Sequence, residues 1–321
     1  MEVARLTNNN IEEIRNLYNS FLLRAKEDYL FELPPLDFDS FKDNFSNNFI
    51  QGYYCKTDTP KAFLLYSDAL NQAIEITLIF AVKEQENYIY QKALIEKFSQ
   101  DMENKFKNKT ISYPMLGIQN QFTQDITNLG YKPVGEMIVE LDFHHQLSKK
   151  ILENFEQEQK PIGYEITNWK NAYIDEVSTI IHQEFSKLND AKFDPRFRTF
   201  EGTKTIINEI TQGLYGEFNP KYTTILLKDN QVAGCCLVNF TTNEIANIPL
   251  IALNSNYKKQ GLGLFMLKNS ANLLKQDIQA KNIQIKVLNA TCDTENPPAI
   301  KAYRKAGFKE KTFYTHAYKE I

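Results

Sequence analysis

The chain has 321 residues, which is enough for two domains that each bury a core of their own. Hydrophobic residues make up 42% and charged residues 24%, as in ordinary globular proteins and unlike disordered chains. The 37 basic and 40 acidic side chains leave a net charge of -3, so no overall basic field would attract nucleic acid or an anionic membrane.

The sequence also lacks the signals of membrane, secreted and metal-binding proteins. No apolar run is long enough to span a bilayer, and residues 1–5 lack the basic and then apolar order of a signal peptide. We therefore expect a cytoplasmic protein with no membrane partner. The four cysteines include no C-x-x-C pair, and the four histidines show no metal-ligand spacing. Neither a disulfide framework nor a metal site is expected.

The first half of the chain alternates between strand and helix patterns. Its periodicity predicts strands at 3–6, 61–66, 73–82 and 136–143, and helices at 11–21, 88–106 and 122–129. Residues 144–162 are polar and charged and include Pro161, which indicates a connector.

The second half repeats much of this order. Strands are predicted at 163–169, 223–228, 232–240, 245–253, 283–289 and 308–318, and helices at 174–185, 202–215, 263–278 and 297–306. A hairpin turn is expected at Asp229–Gln231, and the nearly unbroken apolar strand 245–253 should be buried on both faces. The repeated order predicts a tandem duplication, with domains at 1–145 and 163–321 joined by a linker at 146–162.

A loop with two glycines follows the strand 245–253 and leads directly into a helix. Its sequence is Leu253-Asn254-Ser255-Asn256-Tyr257-Lys258-Lys259-Gln260-Gly261-Leu262-Gly263-Leu264. Glycines let the backbone approach a ligand closely, and the free N–H groups of a first helical turn bind anions such as a diphosphate. Lys258 and Lys259 would add positive charge. Taken alone, the pattern fits a simple helix-capping turn equally well.

A second motif lies downstream, at Asn296-Pro297-Pro298-Ala299-Ile300-Lys301-Ala302-Tyr303-Arg304-Lys305-Ala306-Gly307-Phe308. This segment resembles the N-x-x-A-x-x-x-Y-x-x-x-G-F signature of the GNAT superfamily of N-acetyltransferases, and the glycine loop resembles the family's acyl-CoA loop. Lys258 stands where the family usually has Arg or Gln, which keeps a cation and loses the planar guanidinium. The resemblance covers residues 220–321 well, and 163–219 only by the order of elements.

The resemblance implies the fold and the donor. Both domains would be α/β (α+β) units, each a mixed, mostly antiparallel central sheet flanked by helices. Acetyl-CoA would be the donor, without a metal. Its diphosphate would bind the main chain of the loop, and its pantetheine arm would pair with the edge of the preceding strand. The residues that would bind it are Ile251, Ala252, Leu253, Lys258, Lys259, Gln260, Gly261, Leu262, Gly263, Leu264 and Asn296.

The resemblance also implies catalytic roles. Tyr303 matches the family's general acid, which gives the departing thiolate a proton or a hydrogen bond; the alternative is a core aromatic side chain. Glu244, at the start of the strand, is the candidate base that takes a proton from the amine, and an exposed strand-end carboxylate is an equal alternative. Asn296 is also placed to cap the helix that begins at Pro297. Cys292 lies near the expected thioester gap, but buried cysteines are usually inert.

The first half lacks these motifs. Residues 83–86, after its long strand, contain no glycine and carry carboxylates that would repel a diphosphate, and Thr127 stands where Tyr303 stands in the second half. We therefore predict a degenerate GNAT-like domain at 1–145. It would support the fold, wall the acceptor cleft or mediate dimer contacts, so monomer and homodimer both remain open.

Three functions follow. The first is acetyl transfer to a primary amine, whether a small molecule, a peptide or a protein, by direct attack in a ternary complex. The second is a non-catalytic acyl-CoA-binding or sensor module. The third, aminoacyl transfer from tRNA, is disfavoured by the mild acidity and by the intact acyl-CoA loop. The acceptor would be set by the loop at 186–200, whose mixed charges favour no class.

Overall fold

A computed structural model describes residues 1–31, 35–70, 72–82, 87–156 and 160–321. These residues form two compact units. Unit 1 contains residues 1–134, 192–194 and 314–321, and unit 2 contains residues 135–191 and 195–313. None of the helices in the described ranges combines the length and the apolarity that a bilayer crossing requires.

The first half of the sequence forms strands β1 (Glu2–Arg5), β2 (Gln51–Lys56), β3 (Pro60–Ser67), β4 (Ala73–Ala81), β5 (Thr110–Met115) and β6 (Lys132–Asp142), and helices α1 (Arg15–Tyr29), α2 (Phe38–Ser46), α3 (Asn87–Lys105) and α4 (Thr123–Asn128). The strands β2 and β5 and the helix α2 are elements that the sequence did not predict. Asp37 caps α2 by accepting hydrogen bonds from the N–H groups of Asp39 and Ser40.

The second half forms helices α5 (Gln146–Glu156), α6 (Ile174–Phe185), α7 (Asp190–Phe193), α8 (Phe200–Thr211), α9 (Leu262–Gln279) and α10 (Pro297–Ala306), and strands β7 (Glu165–Thr167), β8 (Glu217–Phe218), β9 (Thr224–Lys228), β10 (Gln231–Cys236), β11 (Asn239–Phe240), β12 (Ile245–Ile248), β13 (Ile251–Leu253), β14 (Val287–Asp293) and β15 (Lys309–Glu320). Mixed, mostly antiparallel sheets flanked by helices confirm the predicted fold class.

Each unit contains the last strand of the other half of the sequence. In unit 2, β6 pairs antiparallel with β14, from Asp142 opposite Val287 to Glu136 opposite Asp293. In unit 1, the end of β15 pairs antiparallel with β5. The compact units therefore differ from the predicted domains 1–145 and 163–321, because a repeat in sequence does not specify which sheet a final strand joins.

The predicted linker at 146–162 also differs from a simple connector. Its first part is the helix α5, which buries Leu152 and Phe155 in unit 2. Residues 157–159 lie outside the described part of the chain. An amphipathic helix of this kind is hard to recognise from sequence when its polar face is as rich in Lys and Glu as a linker.

Unit 1 is built on the strand order β1-β2-β3-β4-β5 followed by the end of β15. One aromatic-rich core lies under α1 and α2, and a second lies under α3. β4 and β5 run parallel, and their pairing extends only from Ala73–Glu75 to Thr110–Ser112. Beyond these residues the two strands part.

Unit 2 contains two sheets, with the strand orders β6-β14-β12-β11-β8 and β13-β10-β9-β7. The predicted continuous strand 245–253 is therefore wrong, since β12 and β13 belong to different sheets. Pro249, which has no N–H group to donate to a ladder, lies at the break. The predicted strand 232–240 divides in the same way into β10 and β11, and the strand predicted at 283–289 lies instead at Val287–Asp293.

Helices cover both sides of unit 2. α9 and α10 pack on one side over an apolar cluster that includes Met266, Leu288 and Leu141. α6 and α8 pack on the opposite side of the second sheet, against Ile225 and Cys235. The predicted hairpin joins β9 to β10 through Asp229 and Asn230, which both adopt positive φ, as a two-residue turn requires.

Candidate functional site

The predicted diphosphate loop leads into α9 through a left-handed residue. Gly261 is the N-cap of α9, with φ +79° and no side chain to cap the helix. The first helical bond at this end runs from Phe265 N to Gly261 O, at 3.0 Å. The N–H groups of Leu262, Gly263 and Leu264 precede that bond, so they have no partner within the helix. The head of α9 thus presents amides and the positive end of its dipole.

Open space lies above these amides. A Cβ atom added to Gly261 or to Gly263 would meet no heavy atom within 4 Å. Gly263 also has an ordinary φ, so the packing around it does not require glycine. A close approach by a ligand would require a small residue there, because a longer side chain would occupy the space next to the amides.

Unlike the amides at the head of α9, two side chains of the loop already have partners within the protein. Lys258 donates from its ammonium group to the Glu184 carboxylate of α6, so its charge is already balanced. Gln260 accepts a hydrogen bond from the Tyr164 hydroxyl at 3.1 Å. Lys259 is exposed, with φ +64°. Main-chain N–H groups, rather than the balanced charge of Lys258, are therefore the groups of this loop that are left open to an anion.

The strand β13 is an edge strand of its sheet. On one side it pairs with β10, through Leu250 O, which accepts from Leu237 N, and Asn254 N, which donates to Ala233 O, both at 2.9 Å. Because alternate residues of a strand face opposite edges, Ala252 also faces β10, whereas the main-chain groups of Ile251 and Leu253 face away from it.

That free edge borders a gap between strands. β12 pairs parallel with β14 only as far as Ile248 opposite Ala290, and β13 then joins the other sheet. Residues 251–253 and 291–293 are therefore not paired with each other. The gap has unpaired main-chain donors and acceptors of β13 on one side and the end of β14 on the other.

Tyr303 lies beside this gap. It is only 4% exposed, and its ring packs edge-to-face on Phe308 with ring centroids 5.2 Å apart. Burial raises the pKa of Tyr303 far above its usual value, and the neighbouring Cys236, Cys292 and Asp190 raise it further. No described residue forms a hydrogen bond with its hydroxyl. The phenol is neutral and can donate to a group that enters the gap.

Cys292 is a weak nucleophile in this setting. Burial raises the pKa of its thiol to about 12, and Asp293, Asp190 and Glu136 add to the effect. Since the thiolate is the reactive form, this thiol is almost entirely protonated at neutral pH. The raised pKa therefore argues against Cys292 as a nucleophile.

Asn296 is the N-cap of α10, and its Oδ1 accepts a hydrogen bond from Ala299 N at 3.2 Å. Pro297 occupies the first helical position, and Gly307 ends the helix with φ +96°. The capping alternative for Asn296 is therefore present in the structure. A further contact with the CoA arm stays a prediction.

The structure does not bring Glu244 close to Tyr303. Glu244 precedes β12 and forms an ion pair with Lys286 at 2.5 Å, with both side chains about half exposed. Its main-chain O accepts from Lys286 N at the start of β14. Cys292, beside Tyr303, lies five residues beyond Val287, or about 16 Å along the strand. The role of Glu244 as a base stays a prediction without geometric support.

Unit 1 has a gap at the same place in its own fold, and a side chain fills it. Gln119 is 1% exposed, and its Oε1 accepts from Ile79 N at 3.1 Å and from the Tyr113 hydroxyl at 3.0 Å. Its Nε2 donates to Leu116 O at 3.2 Å. The loop at 83–86 lies outside the described residues. Sequence reasoning missed Gln119, because only the folded chain shows that it bonds to the edge of β4.

No group of three or more His, Cys, Asp or Glu side chains in the described ranges is placed to hold a metal ion.

The comparisons with known proteins agree with this geometry. The sequence model of the acetyltransferase (GNAT) family matches residues 183–308. No curated protein sequence matches the chain. Among solved structures, a tandem GNAT protein from the clavulanic acid biosynthesis pathway is similar over 99% of this chain and 98% of its own, with a TM-score of 0.62 and 13% identity.

Two further structures show the same fold. A GCN5-related N-acetyltransferase from Sphaerobacter thermophilus is similar over 99% of this chain and 95% of its own, with a TM-score of 0.64 and 12% identity. A glucosamine N-acetyltransferase region of a fungal multi-domain protein covers 99% of this chain and 38% of its own, with a TM-score of 0.62 and 10% identity. The acetyltransferase (GNAT) family model thus matches residues 183–308, and the chain shares its fold with these solved structures over 99% of its length.

Proposed function

We propose that unit 2 is an acyl-CoA-dependent N-acyltransferase that moves an acetyl group from acetyl-CoA to a primary amine. One arrangement carries this proposal. The open amides at the head of α9 lie on the chain directly after the free edge of β13, and that edge borders the gap beside Tyr303.

Acetyl-CoA would bind along this path. Its diphosphate accepts hydrogen bonds from the N–H groups of Gly261 to Leu264. Its pantetheine arm pairs with the main chain of Ile251 and Leu253, as an added strand pairs with an open edge. The thioester then lies in the gap between β13 and β14. Lys259, Gln260 and Asn296 border the same path.

The transfer needs one bond to form and one to break. The amine nitrogen attacks the acetyl carbon, and the bond between that carbon and the CoA sulfur breaks. Tyr303 supplies a proton or a hydrogen bond to the departing thiolate, a task suited to a phenol that stays neutral. A base or a water molecule accepts the proton that the amine loses, since an ammonium ion cannot attack.

A non-catalytic acyl-CoA-binding module would use the same loop and the same edge. Tyr303 distinguishes the two functions, because only transfer needs a hydrogen-bond donor beside the sulfur. Retention of both the loop and Tyr303 favours the enzyme.

Gly263→Leu provides a direct test of the donor site. A Cβ at Gly263 meets nothing within 4 Å, and Leu favours helix more than Gly does, so this variant should fold as well as the wild type. By calorimetry, the wild type should bind acetyl-CoA, and Gly263→Leu, whose longer side chain occupies the space next to the amides, should bind it at least about tenfold more weakly at an unchanged melting temperature. A wild-type protein that takes up neither CoA nor acetyl-CoA would refute the proposal.

A further inference from the structure

A row of amide side chains crosses three strands of the first sheet in unit 2. Asn239 on β11 is opposite Asn247 on β12, and Asn247 is beside Asn289 on β14. Cross-strand partners share one face of a sheet, about 4.8 Å apart. We call Asn239, Asn247 and Asn289 the amide row.

The amide row faces away from α9 and α10. The chain neighbours of Asn247 and Asn289 belong to the cluster under those helices. They are Ala246, Ile248, Leu288 and Ala290. Because strand side chains alternate, the row projects to the opposite face. Phe218, the other cross-strand partner of Asn239, packs against the cluster under α6 and α8, which identifies the side of unit 2 that the row faces.

The row contains a buried hydrogen-bond acceptor that the chain leaves open. Asn239 is 0% exposed, and its Nδ2 donates to Tyr215 O. Its Oδ1 has no partner among the described residues. Buried polar atoms are normally paired, so this open carbonyl oxygen can accept a hydrogen bond from a donor outside the chain. Asn247, the next member, is half-buried, so the row can be reached from outside.

Carboxylates lie beside the row on the same face. Glu140 is opposite Asn289, and Asp293 is opposite Glu136. Glu140 is bonded to Lys311 at 3.1 Å. Asp293 accepts a hydrogen bond from Asn189 Nδ2 at 2.7 Å, so the loop that was expected to set the acceptor is anchored at this face. An acceptor that carries carboxylates would meet like charge here.

The row ends where the strands part. Ile248 and Ala290, one residue beyond Asn247 and Asn289, form the last pair between β12 and β14. A molecule seated on the row therefore lies within two residues, or about 7 Å, of the gap that holds the thioester in the proposed function. Tyr303 approaches that gap from the side of α10, so the amine and the phenol would reach the thioester from opposite faces of the sheet.

We propose that the amide row binds the acceptor, and that the acceptor is a primary amine rich in hydroxyl groups and free of carboxylates. A hydroxyl group both donates and accepts, so it can satisfy the oxygen of Asn239 and the amide of Asn247 together. An apolar amine would leave the Asn239 oxygen unpaired, and sites built for hydrogen bonds discriminate strongly against such analogues. This inference rests on the proposed function, which names no acceptor.

Two amines built on six-membered rings test the inference. Glucosamine carries hydroxyl groups, whereas cyclohexylamine carries none. Hydroxyl groups lower the basicity of an amine, so initial rates with saturating acetyl-CoA, followed by release of free thiol, are divided by the concentration of unprotonated amine. The resulting kcat/KM for glucosamine should be at least about tenfold above that for cyclohexylamine. Asn247→Leu should lower the glucosamine value about tenfold or more and leave the cyclohexylamine value within about twofold.

The control is Asn272→Leu, on α9. Asn272 is also a buried asparagine whose Oδ1 lacks a partner among the described residues, but it lies on the other side of the sheet. This variant should leave kcat/KM unchanged for both amines. If Asn247→Leu and Asn272→Leu act alike, or if cyclohexylamine is used as well as glucosamine, the inference is wrong.

Binding measurements separate this inference from the proposed function. Ligand-observed NMR would record glucosamine binding to the CoA-loaded protein, where no transfer can occur. Binding that Asn247→Leu abolishes, without turnover, supports the amide row and contradicts the enzyme. Transfer to cyclohexylamine but not to glucosamine supports the enzyme and overturns the amide row. The absence of any glucosamine binding also overturns the amide row.

Discussion

Replacing Tyr303 by Phe removes one oxygen atom from the site and should separate chemistry from folding. The hydroxyl has no hydrogen-bond partner among the described residues, so its loss breaks no bond within the protein. The ring keeps its edge-to-face contact with Phe308. We therefore expect a free energy of unfolding within about 1 kcal/mol of the wild-type value.

The effect on turnover should be large. General acid catalysis by a positioned side chain is worth about 10²- to 10⁴-fold. Tyr303→Phe should accordingly lower kcat at least about 100-fold, while calorimetry shows an acetyl-CoA affinity within about twofold of the wild type. Such a split arises when an interaction acts mainly in the transition state.

Tyr222→Phe is the matched control. Tyr222 is also buried in unit 2, but its hydroxyl donates to the Asp277 carboxylate at 2.5 Å. Its loss should cost about 1–3 kcal/mol of stability and leave kcat unchanged. The reasoning fails if Tyr303→Phe keeps full turnover, or if the two variants lose activity and stability in parallel.

Three further predictions concern other parts of the chain. Glu244→Gln should change kcat less than about twofold at every pH, because an exposed ion pair with Lys286 contributes little; a drop confined to low pH would restore Glu244 as the base. Lys221 and Tyr222 lower the pKa of Asp277 to about 2, below its value in the unfolded chain. Its ionised form therefore stabilises unit 2 above about pH 4, and up to about 2 kcal/mol of the free energy of unfolding is lost as pH falls from 4 to 2. In an acid titration, the free energy of unfolding of Asp277→Asn should fall less over this range than that of the wild type. Calorimetry should give one acetyl-CoA per chain, and two sites would contradict the role of Gln119 in filling the gap of unit 1.

The sequence was sufficient for the parts of the site that depend on local backbone conformation. The helices α9 and α10 begin and end close to the predicted residues, because Gly261, Pro297 and Gly307 act through φ angles and missing N–H groups. These effects involve neighbours in the chain. A single sequence therefore carries the information that predicts them.

Features that depend on pairing between distant strands could not be predicted in this way. The exchange of β6 and β15 leaves the hydrophobic pattern of both strands unchanged, so either sheet would satisfy it. The amide row could not be predicted either, since Asn239, Asn247 and Asn289 are single polar residues within apolar strands. Only the register places them side by side.

The position of one proline explains why the two units differ in their gaps. In unit 1, β4 is unbroken from Ala73 to Ala81 and pairs with β3 from Glu75 to Ala81, and Gln119 bonds to its other edge at Ile79. In unit 2, the corresponding strand is interrupted at Pro249, so β13 turns to pair with β10 and its other edge borders the gap. A strand edge buried without hydrogen-bond partners is unfavourable, so each unit must satisfy it by some means. Unit 1 does so with its own glutamine, whereas unit 2 leaves the edge open, and in the proposed function the amide groups of the pantetheine arm satisfy it.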